Sequence, residues 1–495
     1  MNFNSLSFLI FFPIVTMMYF VIKPKYRYIW LLISSYYFYM CWNPKYAILI
    51  ATSTIITYLS GIFINKYNLI KDNKKSIRLK RLVVFISVSS NLVILFLFKY
   101  FNFAVNILTT AFNYLDINIV LPRFDFLLPV GISFYTFQAL SYTIDVYRGS
   151  IKAEKNIWKY ALFVSFFPQL VAGPIEKSKD LLYQFNEIHY FDYNRAKDGL
   201  ILMIWGFFQK VVVSDRLAIL VNEVYNNPSE HKGFEIIIAT IFFAFQIYCD
   251  FSSYSNIAKG AARVMGYRLS KNFDSPYFSD SIKMFWRRWH ITLGSWFKDY
   301  LYIPLGGNRK GRIRTYINTM IVFLTSGLWH GASINFVIWG GLHGLYQVVG
   351  DLTKPINDKL IKVFNIKTDV FSYKFLKIII TFILVNFAWI FFRANSFSDA
   401  KILISNMFEF NPWVLTDGTL LSLGLDYKEL IVAIVGILIV TAIDLLNDKI
   451  DLIKFLLSQN TLFRWIIYFA AIFIVLIFGV YGPDYSQQQF IYFQF

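Results

Sequence analysis

Two of the five histidines of this 495-residue chain lie where an imidazole could carry a proton during a reaction. His290 ends the run Phe285–His290, in which two arginines stand between tryptophans, and His330 follows Trp329 inside an apolar segment. A charged side chain at membrane depth costs roughly 2.5–3.5 kcal/mol on insertion scales, so an ionisable residue there indicates a function. Histidine is the side chain whose ordinary pKa lies near neutrality, which suits general acid–base catalysis. The sequence therefore indicates proton transfer at one or both of these histidines.

Each histidine also has a structural interpretation. His330 could pack between helices, where Gly331 and Ala332 would let a substrate chain or another helix approach closely, although the cost of burying a polar group favours a functional role. His290 could instead face lipid headgroups beside phosphate-binding arginines, and the residues alone do not decide between these interpretations. His343 would point to the opposite face of any continuous helix from His330, so we expect it to have a packing role.

A carboxylate and several hydroxyls follow an apolar run in the block Tyr248–Ser255. Asp250 in this block could cap a helix, pair with a cation or belong to a site. Cys249 is a conceivable nucleophile, although a thiol in apolar surroundings is more often simply packed. The sequence contains no Gly-x-Ser-x-Gly, His-Glu-x-x-His or phosphate-binding glycine motif. Its two cysteines have no metal-ligand spacing, and we expect no metal site.

Composition predicts the setting of these residues. The chain is 57% hydrophobic, against about 45–50% for a soluble domain, and the excess falls in runs long enough to cross a bilayer. The net charge is +18, but the basic residues cluster in short loops between the apolar runs, which follows the positive-inside rule and argues against nucleic-acid binding. We therefore predict an all-α polytopic membrane protein, with one integral domain over residues 1–480 and an aromatic tail over residues 481–495.

The positions of lysine and arginine predict the orientation in the membrane. The first apolar run, Leu6–Ile22, lacks a basic leader and a small-residue cleavage site, so we expect a retained span with an external N-terminus. The basic loop Lys66–Arg81 should be cytoplasmic. The run Trp158–Ala172, stopped by Gly173 and Pro174, is predicted to be re-entrant. We expect an interfacial helix within the basic, aromatic stretch Tyr267–Arg314, and the tail should be external.

Four further apolar runs are also predicted to cross the membrane. The runs Leu82–Phe98 and Phe234–Tyr248 are predicted to cross the membrane, and Asp250 would then lie just beyond the end of the second. The runs Tyr316–Trp329 and Ile334–Val349 are predicted to cross on either side of His330.

Five blocks of the sequence together resemble the membrane-bound O-acyltransferase (MBOAT) family, and most closely its bacterial branch of alginate and peptidoglycan O-acetylases. These blocks are Tyr248–Ser255, Asn272–Tyr277, Phe285–His290, Asp299–Arg309 and Leu328–Ser333. The likeness covers essentially the whole chain, including the ending Phe490–Phe495. Cys249 and Ser253 replace the Phe and Gly usual in alginate-type relatives, which weakens any exact assignment of the substrate.

The resemblance implies a fold of about 12 transmembrane helices, with re-entrant and interfacial helices around a central tunnel. His330 matches the catalytic histidine of the family, and His290 matches its second polar position, which is Asn or Asp in other branches. The reaction implied is acyl transfer to a hydroxyl, in which His330 takes the hydroxyl proton and His290 orients the donor or stabilises the oxyanion.

Further residues are expected to line the tunnel or bind the donor. We expect Trp289 and Trp329 to wall the passage, and Arg287 and Arg288 to hold an anionic donor at the cytoplasmic face. The remaining tunnel or donor-binding candidates are Asp250 and Asn335.

The resemblance also implies the partners of the reaction. The donor would be a cytoplasmic acyl thioester, acetyl-CoA or an acyl carrier protein, and we expect no tightly bound cofactor. A periplasmic or extracellular acyltransferase partner would complete delivery to a surface polysaccharide from a multi-pass protein of the bacterial inner or plasma membrane. A transporter or flippase for a lipid-linked saccharide, or a scaffold for an export complex, is the alternative. A transporter would predict two related halves, and the sequence shows no such repeat.

The tail Phe490–Phe495 is too aromatic for a solvated segment. It follows the helix-ending pair Gly482 and Pro483, and we predict that it folds back into the outer mouth of the tunnel. Tyr492 could then be activated by His330, take the acyl group and pass it to the external partner. An aromatic anchor at the membrane interface explains the same composition equally well.

Overall fold

The computed structural model describes residues 1–117, 119, 121–124, 128–481 and 489–491, and every regular element in these residues is helical. Tyr492 lies outside the described residues. Twenty α-helices are present in the described part of the chain. Their bounds are α1 Leu6–Val21, α2 Arg27–Met40, α3 Tyr46–Tyr67, α4 Asn73–Leu95, α5 Phe101–Tyr114, α6 Ile132–Tyr147, α7 Ile157–Ser165, α8 Ser178–Leu181, α9 Tyr193–Phe207, α10 Asp215–Asn226, α11 Phe234–Met265, α12 Ile282–Arg288, α13 Ile291–Phe297, α14 Arg312–His330, α15 Ile334–Val363, α16 Phe371–Arg393, α17 Phe397–Asn406, α18 Tyr427–Asn447, α19 Leu452–Leu457 and α20 Thr461–Phe478.

Three segments of π-helix join or extend these helices. They are Phe96–Tyr100 between α4 and α5, Phe208–Ser214 between α9 and α10, and Lys298–Tyr302 after α13.

Six helical segments among the described residues are long and apolar enough to cross a bilayer. They are Tyr46–Tyr67, Asn73–Tyr114, Phe234–Met265, Phe371–Arg393, Tyr427–Asn447 and Thr461–Phe478. A helix rises about 1.5 Å per residue, so about 20 residues match the hydrocarbon core of about 30 Å. The protein is therefore an all-helical, multi-pass membrane protein. The larger number of about 12 spans stays a prediction.

Two predicted spans were too short. The run Leu82–Phe98 is part of one continuous helical segment, Asn73–Tyr114. The run Phe234–Tyr248 was expected to end before Asp250, but α11 continues through this residue to Met265. The reason lies in the tertiary structure, because Asp250 is paired with Lys210 at 2.7 Å in the interior. A carboxylate that has a buried cation as its partner does not need the helix to end at water.

The chain divides into two compact units. Unit 1 comprises Met1–Met203 and Ile257–Ser270, and unit 2 comprises Ile204–Asn256 and Lys271–Phe495. In unit 1, α7 has nine residues and ends at Ser165, and the chain continues as a buried, non-helical turn. A nine-residue helix is too short to cross a bilayer, which fits the re-entrant path predicted for this segment.

Polar side chains satisfy the backbone of this turn in unit 1. Ser35 Oγ accepts a hydrogen bond from Phe167 N at 3.1 Å, and the carbonyl of Phe163 accepts from Gln138 Nε2 at 2.6 Å and from Gln169 Nε2 at 3.2 Å. Irregular backbone is tolerated inside a membrane protein only where such partners replace water.

Unit 2 contains the helical hairpin formed by α14 and α15, whose close contact depends on glycine. A Cβ on Gly327 would lie 2.1 Å from the carbonyl oxygen of Phe336, and one on Gly340 would lie 2.2 Å from the carbonyl oxygen of Phe323. No real Cβ fits at these distances, so the two helices pack backbone against backbone. The predicted spans on either side of His330 are thus confirmed as helices, and α14 ends at His330 itself.

Candidate active site

The turn of this hairpin determines the position of His330. Gly331–Ser333 links the two helices, and the Ser333 hydroxyl caps α15 by accepting a hydrogen bond from Asn335 N at 3.3 Å. A Cβ on Gly331 would lie 2.1 Å from the ring of Phe336, so the turn is closely packed. The small residues beside His330 therefore serve the approach of α15, one of the two possibilities that the sequence left open. His330 is buried at the end of α14.

His290 lies at a break between two short helices. It follows α12 and precedes α13, is fully buried, and has a left-handed backbone with φ of +43°. A positive φ is uncommon for a residue other than glycine, and residues held in this way cluster at functional sites. Of the two interpretations that the sequence left open for His290, the one that faces lipid headgroups is excluded, because the ring is fully buried.

Asn272 holds the imidazole of His290. Its Oδ1 lies 3.1 Å from His290 Nδ1 and also accepts hydrogen bonds from Thr292 N at 3.3 Å and Thr292 Oγ1 at 2.9 Å. Because a backbone N–H can only donate, the atom facing Thr292 must be the amide oxygen. His290 Nδ1 must then carry the proton, which leaves the lone pair on Nε2.

The two imidazoles meet in one buried region of unit 2. Their ring centroids are 6.5 Å apart, and the indole of Trp329 lies 5.9 Å from the ring of His290 and 5.0 Å from that of His330. The ring of Phe251, from α11, lies 4.6 Å from His290. The two residues that the sequence selected, 40 positions apart in the chain, thus share one aromatic environment.

Two aromatic residues that the sequence did not single out complete the surroundings of His330. Trp339 on α15 lies 4.9 Å away edge-on, and Phe392 on α16 lies 5.4 Å away. Both are buried. Apolar rings around an imidazole exclude water, which strengthens the electrostatic interactions made inside the site.

The other residues expected at the tunnel have different positions. Trp289 is buried against Phe273, Phe285 and Trp389, at 5.1, 5.5 and 5.2 Å between ring centroids. Its ring therefore forms part of the core beside the site. Asn335 is also buried, and its Nδ2 donates to the carbonyl of Ala394 at 2.9 Å. This bond ties the start of α15 to the end of α16.

The two arginines before His290 differ in their surroundings. Arg287 is exposed, whereas Arg288 forms a salt bridge with Asp448 at 3.2 Å and donates to the carbonyl of Ser275. Part of the charge of Arg288 is already neutralised within the protein. Arg287 is therefore the better candidate for binding an anionic group.

His343 packs against Trp339 and Trp286. Its Nδ1 accepts a hydrogen bond from Trp286 Nε1 at 3.2 Å, and its ring lies 5.2 Å from that of Trp339. These contacts support the packing role expected for it.

Asp250 lies in a buried cluster of charges with Lys210 and Asp215. In the described part of the chain, no group of three or more His, Cys, Asp or Glu side chains is arranged to hold a metal ion.

Sequence reasoning missed the roles of Asn272 and Trp339. Asn272 stands in a block that carried the family resemblance, but its position 18 residues before His290 gives no sign of contact. Trp339 lies across the Gly331–Ser333 turn from His330, so no helical spacing relates the two residues. Only the folded hairpin brings them together.

We predict that Asn272→Ala lowers acyl transfer about 5–150-fold, because a buried donor left unsatisfied costs about 1–3 kcal/mol. The donor concerned is His290 Nδ1–H, which holds the ring in its tautomer. Asn272→Asp keeps an acceptor oxygen and should recover most of the activity. Rates per folded molecule, measured for both variants, test this role.

Thr292→Ala is the matched control for Asn272, because it removes a hydrogen bond to the same amide oxygen without touching the imidazole. We expect it to retain near-normal rates. Equal losses for Asn272→Ala and Asn272→Asp would contradict a positioning role through the acceptor oxygen.

Comparison with known proteins identifies the family of the chain. Residues 152–398 match the sequence profile of MBOAT, the membrane-bound O-acyltransferase family, and this range contains both histidines. The chain is 37% identical over 441 residues to the probable alginate O-acetylase AlgI of Pseudomonas syringae, covering 88% of this chain and 80% of that protein. It is 37% identical over 439 residues to the protein of the same name from Pseudomonas aeruginosa, with the same two coverages.

A relative of a second kind has a similar extent. The chain is 32% identical over 444 residues to the peptidoglycan O-acetyltransferase of Helicobacter pylori, covering 83% of this chain and 80% of that protein. These similarities run through nearly the whole chain, well beyond the motifs around the histidines. The chain therefore belongs to the membrane-bound O-acyltransferase family, and it is an acyltransferase.

Proposed function

We propose that this protein transfers an acyl group, most simply acetyl, to hydroxyls of an exported cell-surface polysaccharide. The observation that carries the proposal is the buried pair His290 and His330, with ring centroids 6.5 Å apart beside Trp329. The names of the relatives support the acceptor class, since they describe O-acetylation of alginate and of peptidoglycan. The polymer would be alginate-like, peptidoglycan or another surface glycan.

In the proposed reaction, His330 is the general base. It takes the proton of an acceptor hydroxyl as the oxygen attacks the carbonyl carbon of a thioester. The tetrahedral intermediate then collapses, the carbon–sulfur bond breaks, and the proton passes from His330 to the leaving sulfur. General-base assistance of this kind contributes about 10²–10⁴ in rate.

The tautomer of His290 limits its part in the reaction. With Nδ1–H donated to Asn272, the neutral ring offers Nε2 as an acceptor. Neutral His290 can therefore accept a hydrogen bond and orient a hydroxyl or another hydrogen-bond donor in the site. Stabilising an oxyanion would require a proton on Nε2 as well, and thus the imidazolium form.

The donor would be a cytoplasmic acyl thioester, carried by coenzyme A or by an acyl carrier protein. The exposed guanidinium of Arg287 is suited to the phosphate of such a carrier. The protein would act in the inner or plasma membrane of a bacterial cell, with a periplasmic or extracellular acyltransferase partner that completes delivery. A transporter or flippase of a polysaccharide export system is the other function considered, and membership of an acyltransferase family weighs against it.

Reconstitution in liposomes tests the proposal. Purified protein is supplied with acetyl-CoA or an acetylated carrier protein, with short oligosaccharides of the candidate polymers, and with a periplasmic extract that contains the external partner. We expect thiol release that requires the protein, together with an equal amount of acetyl ester on the acceptor. Accumulation of the saccharide inside the vesicles without ester formation would favour the transporter and overturn the proposal.

A further inference from the structure

The last residues that the structure describes are Gln489–Ile491, and two of them, Phe490 and Ile491, are buried in unit 2. Phe490 and Ile491 are 1% and 5% exposed. The edge of one ring meets the face of the other where Phe490 packs on Tyr254 of α11, at 5.1 Å between centroids. Something in the body of unit 2 therefore holds the carboxyl-terminal segment.

The holding group is a buried cluster of three charges. Lys210 lies within 2.8 Å of Asp215 and 2.7 Å of Asp250, and all three side chains are almost completely buried. Two carboxylates share one ammonium, so the ionised cluster keeps an excess negative charge. Buried charges are costly unless hydrogen-bond donors compensate them.

The carboxyl-terminal segment supplies such a donor. The backbone N–H of Ile491 donates to Asp250 Oδ2 at 2.8 Å, while the other oxygen of this carboxylate takes the ammonium of Lys210. The ammonium also lies 4.3 Å from the centroid of the Phe490 ring, in a cation–π contact. Two adjacent residues of the segment thus contact opposite charges of one cluster. The ring of Phe490 contacts the ammonium, and the N–H of Ile491 contacts the carboxylate.

The segment of chain that carries Lys210 is itself unusual. Lys210 lies in the π-helical segment Phe208–Ser214, and such segments inside helices occur frequently at functional sites. The same region binds the end of the last helix, because Val211 O accepts from Val480 N at 2.7 Å and Arg216 Nη2 donates to Phe478 O at 2.8 Å. It therefore fixes the chain both before and after residues 482–488.

The cluster is also close to the candidate active site. Asp250, which bonds the segment, is followed on α11 by Phe251, whose ring lies 4.6 Å from His290. A change in how Asp250 binds the segment would therefore act directly beside Phe251, which packs against His290.

We infer that Lys210 and Asp250, in their cluster with Asp215, form a receptor for the carboxyl-terminal segment of the chain, and that the bound segment is required for acyl transfer. The second half of this inference rests on the proposed function. Lys210 and Asp250 are positioning residues, since they act through the segment.

The test combines hydrogen–deuterium exchange of the carboxyl-terminal peptide with the rate of acyl transfer. Ile491→Pro removes the donated N–H, and Ile491→Val keeps it. We expect the proline variant to raise exchange across the peptide and to lower acyl transfer at least tenfold, while the valine variant behaves as the unaltered protein. Because Ile491 is itself buried, the rates of both variants are compared per folded molecule.

Two variants of the cluster form a matched pair. Asp250→Asn weakens the acceptor that binds Ile491, whereas Asp215→Asn leaves Lys210 and Asp250 as a neutral pair that still holds the segment. We expect raised exchange and slowed transfer for the first variant and much smaller changes for the second. Equal effects of both variants would reduce the cluster to a purely structural role.

The remaining outcomes are also decisive. A segment released by Ile491→Pro with no loss of acyl transfer would overturn the requirement for binding. Unchanged exchange in both Ile491→Pro and Asp250→Asn would overturn the receptor. If the unaltered protein transfers no acyl group, the proposed function fails, but the exchange measurements still test the receptor.

Discussion

His330→Ala is expected to abolish surface O-acylation and to slow acyl transfer by the purified protein about 10²–10⁴-fold, the range for loss of a general base. The loss should appear in kcat with little change in the KM for the donor, because the proton is taken only as the reaction proceeds. The variant should remain folded in the membrane, since His330 ends α14 at the hairpin turn and does not fill its middle. Surface acylation in cells checks the first expectation, and kcat and KM in liposomes check the second. The elution profile of the purified variant in size-exclusion chromatography checks that it is folded.

His343→Gln is the matched control for His330. His343 is also a buried imidazole that contacts Trp339, at 5.2 Å, but it faces Trp286 instead of His290. Its replacement should leave the rate per folded molecule nearly unchanged. Near-normal acylation by His330→Ala would contradict the mechanism. Equal losses for the His330 and His343 variants would indicate that both histidines act only through packing.

Replacing His290 is expected to have the second largest effect, and the result should depend on the new residue. His290→Ala removes the imidazole and its contacts and places alanine at a φ of +43°, a backbone that histidine adopts several-fold more often than most residues do. We expect about a hundredfold loss of acyl transfer, as for loss of acid–base or hydrogen-bonding assistance, together with a lower melting temperature.

His290→Asn separates these two contributions, because asparagine visits the left-handed region readily and still offers a polar group. This variant should have a higher melting temperature than the alanine variant and retain more activity. Melting curves and rates for both substitutions check the expectation. If both variants retain full rates once folded, His290 has only a structural role at the break between α12 and α13.

The sequence determined the class of protein, the family and the two histidines. A segment that crosses the lipid must be apolar along its whole length and must satisfy its backbone hydrogen bonds internally. Apolar runs in the sequence were therefore enough to predict an all-helical membrane protein. Polar groups at membrane depth are costly, and for this reason His330 stands out in the sequence by itself, whereas a role for His290 was favoured only by the family resemblance. The family resemblance rested on short blocks whose residues are close in the chain, and the comparisons confirmed it.

The tertiary structure decided which residues surround those histidines. Asn272 reaches His290 across 18 positions, and Lys210 reaches Asp250 across 40, and no periodicity of a single helix encodes such distances. Helix ends depend on the same contacts, because the pairing of Asp250 with Lys210 lets α11 run on where the sequence predicted a stop. Sequence patterns report what each segment buries, whereas the partner of a buried group is selected only when distant helices pack together.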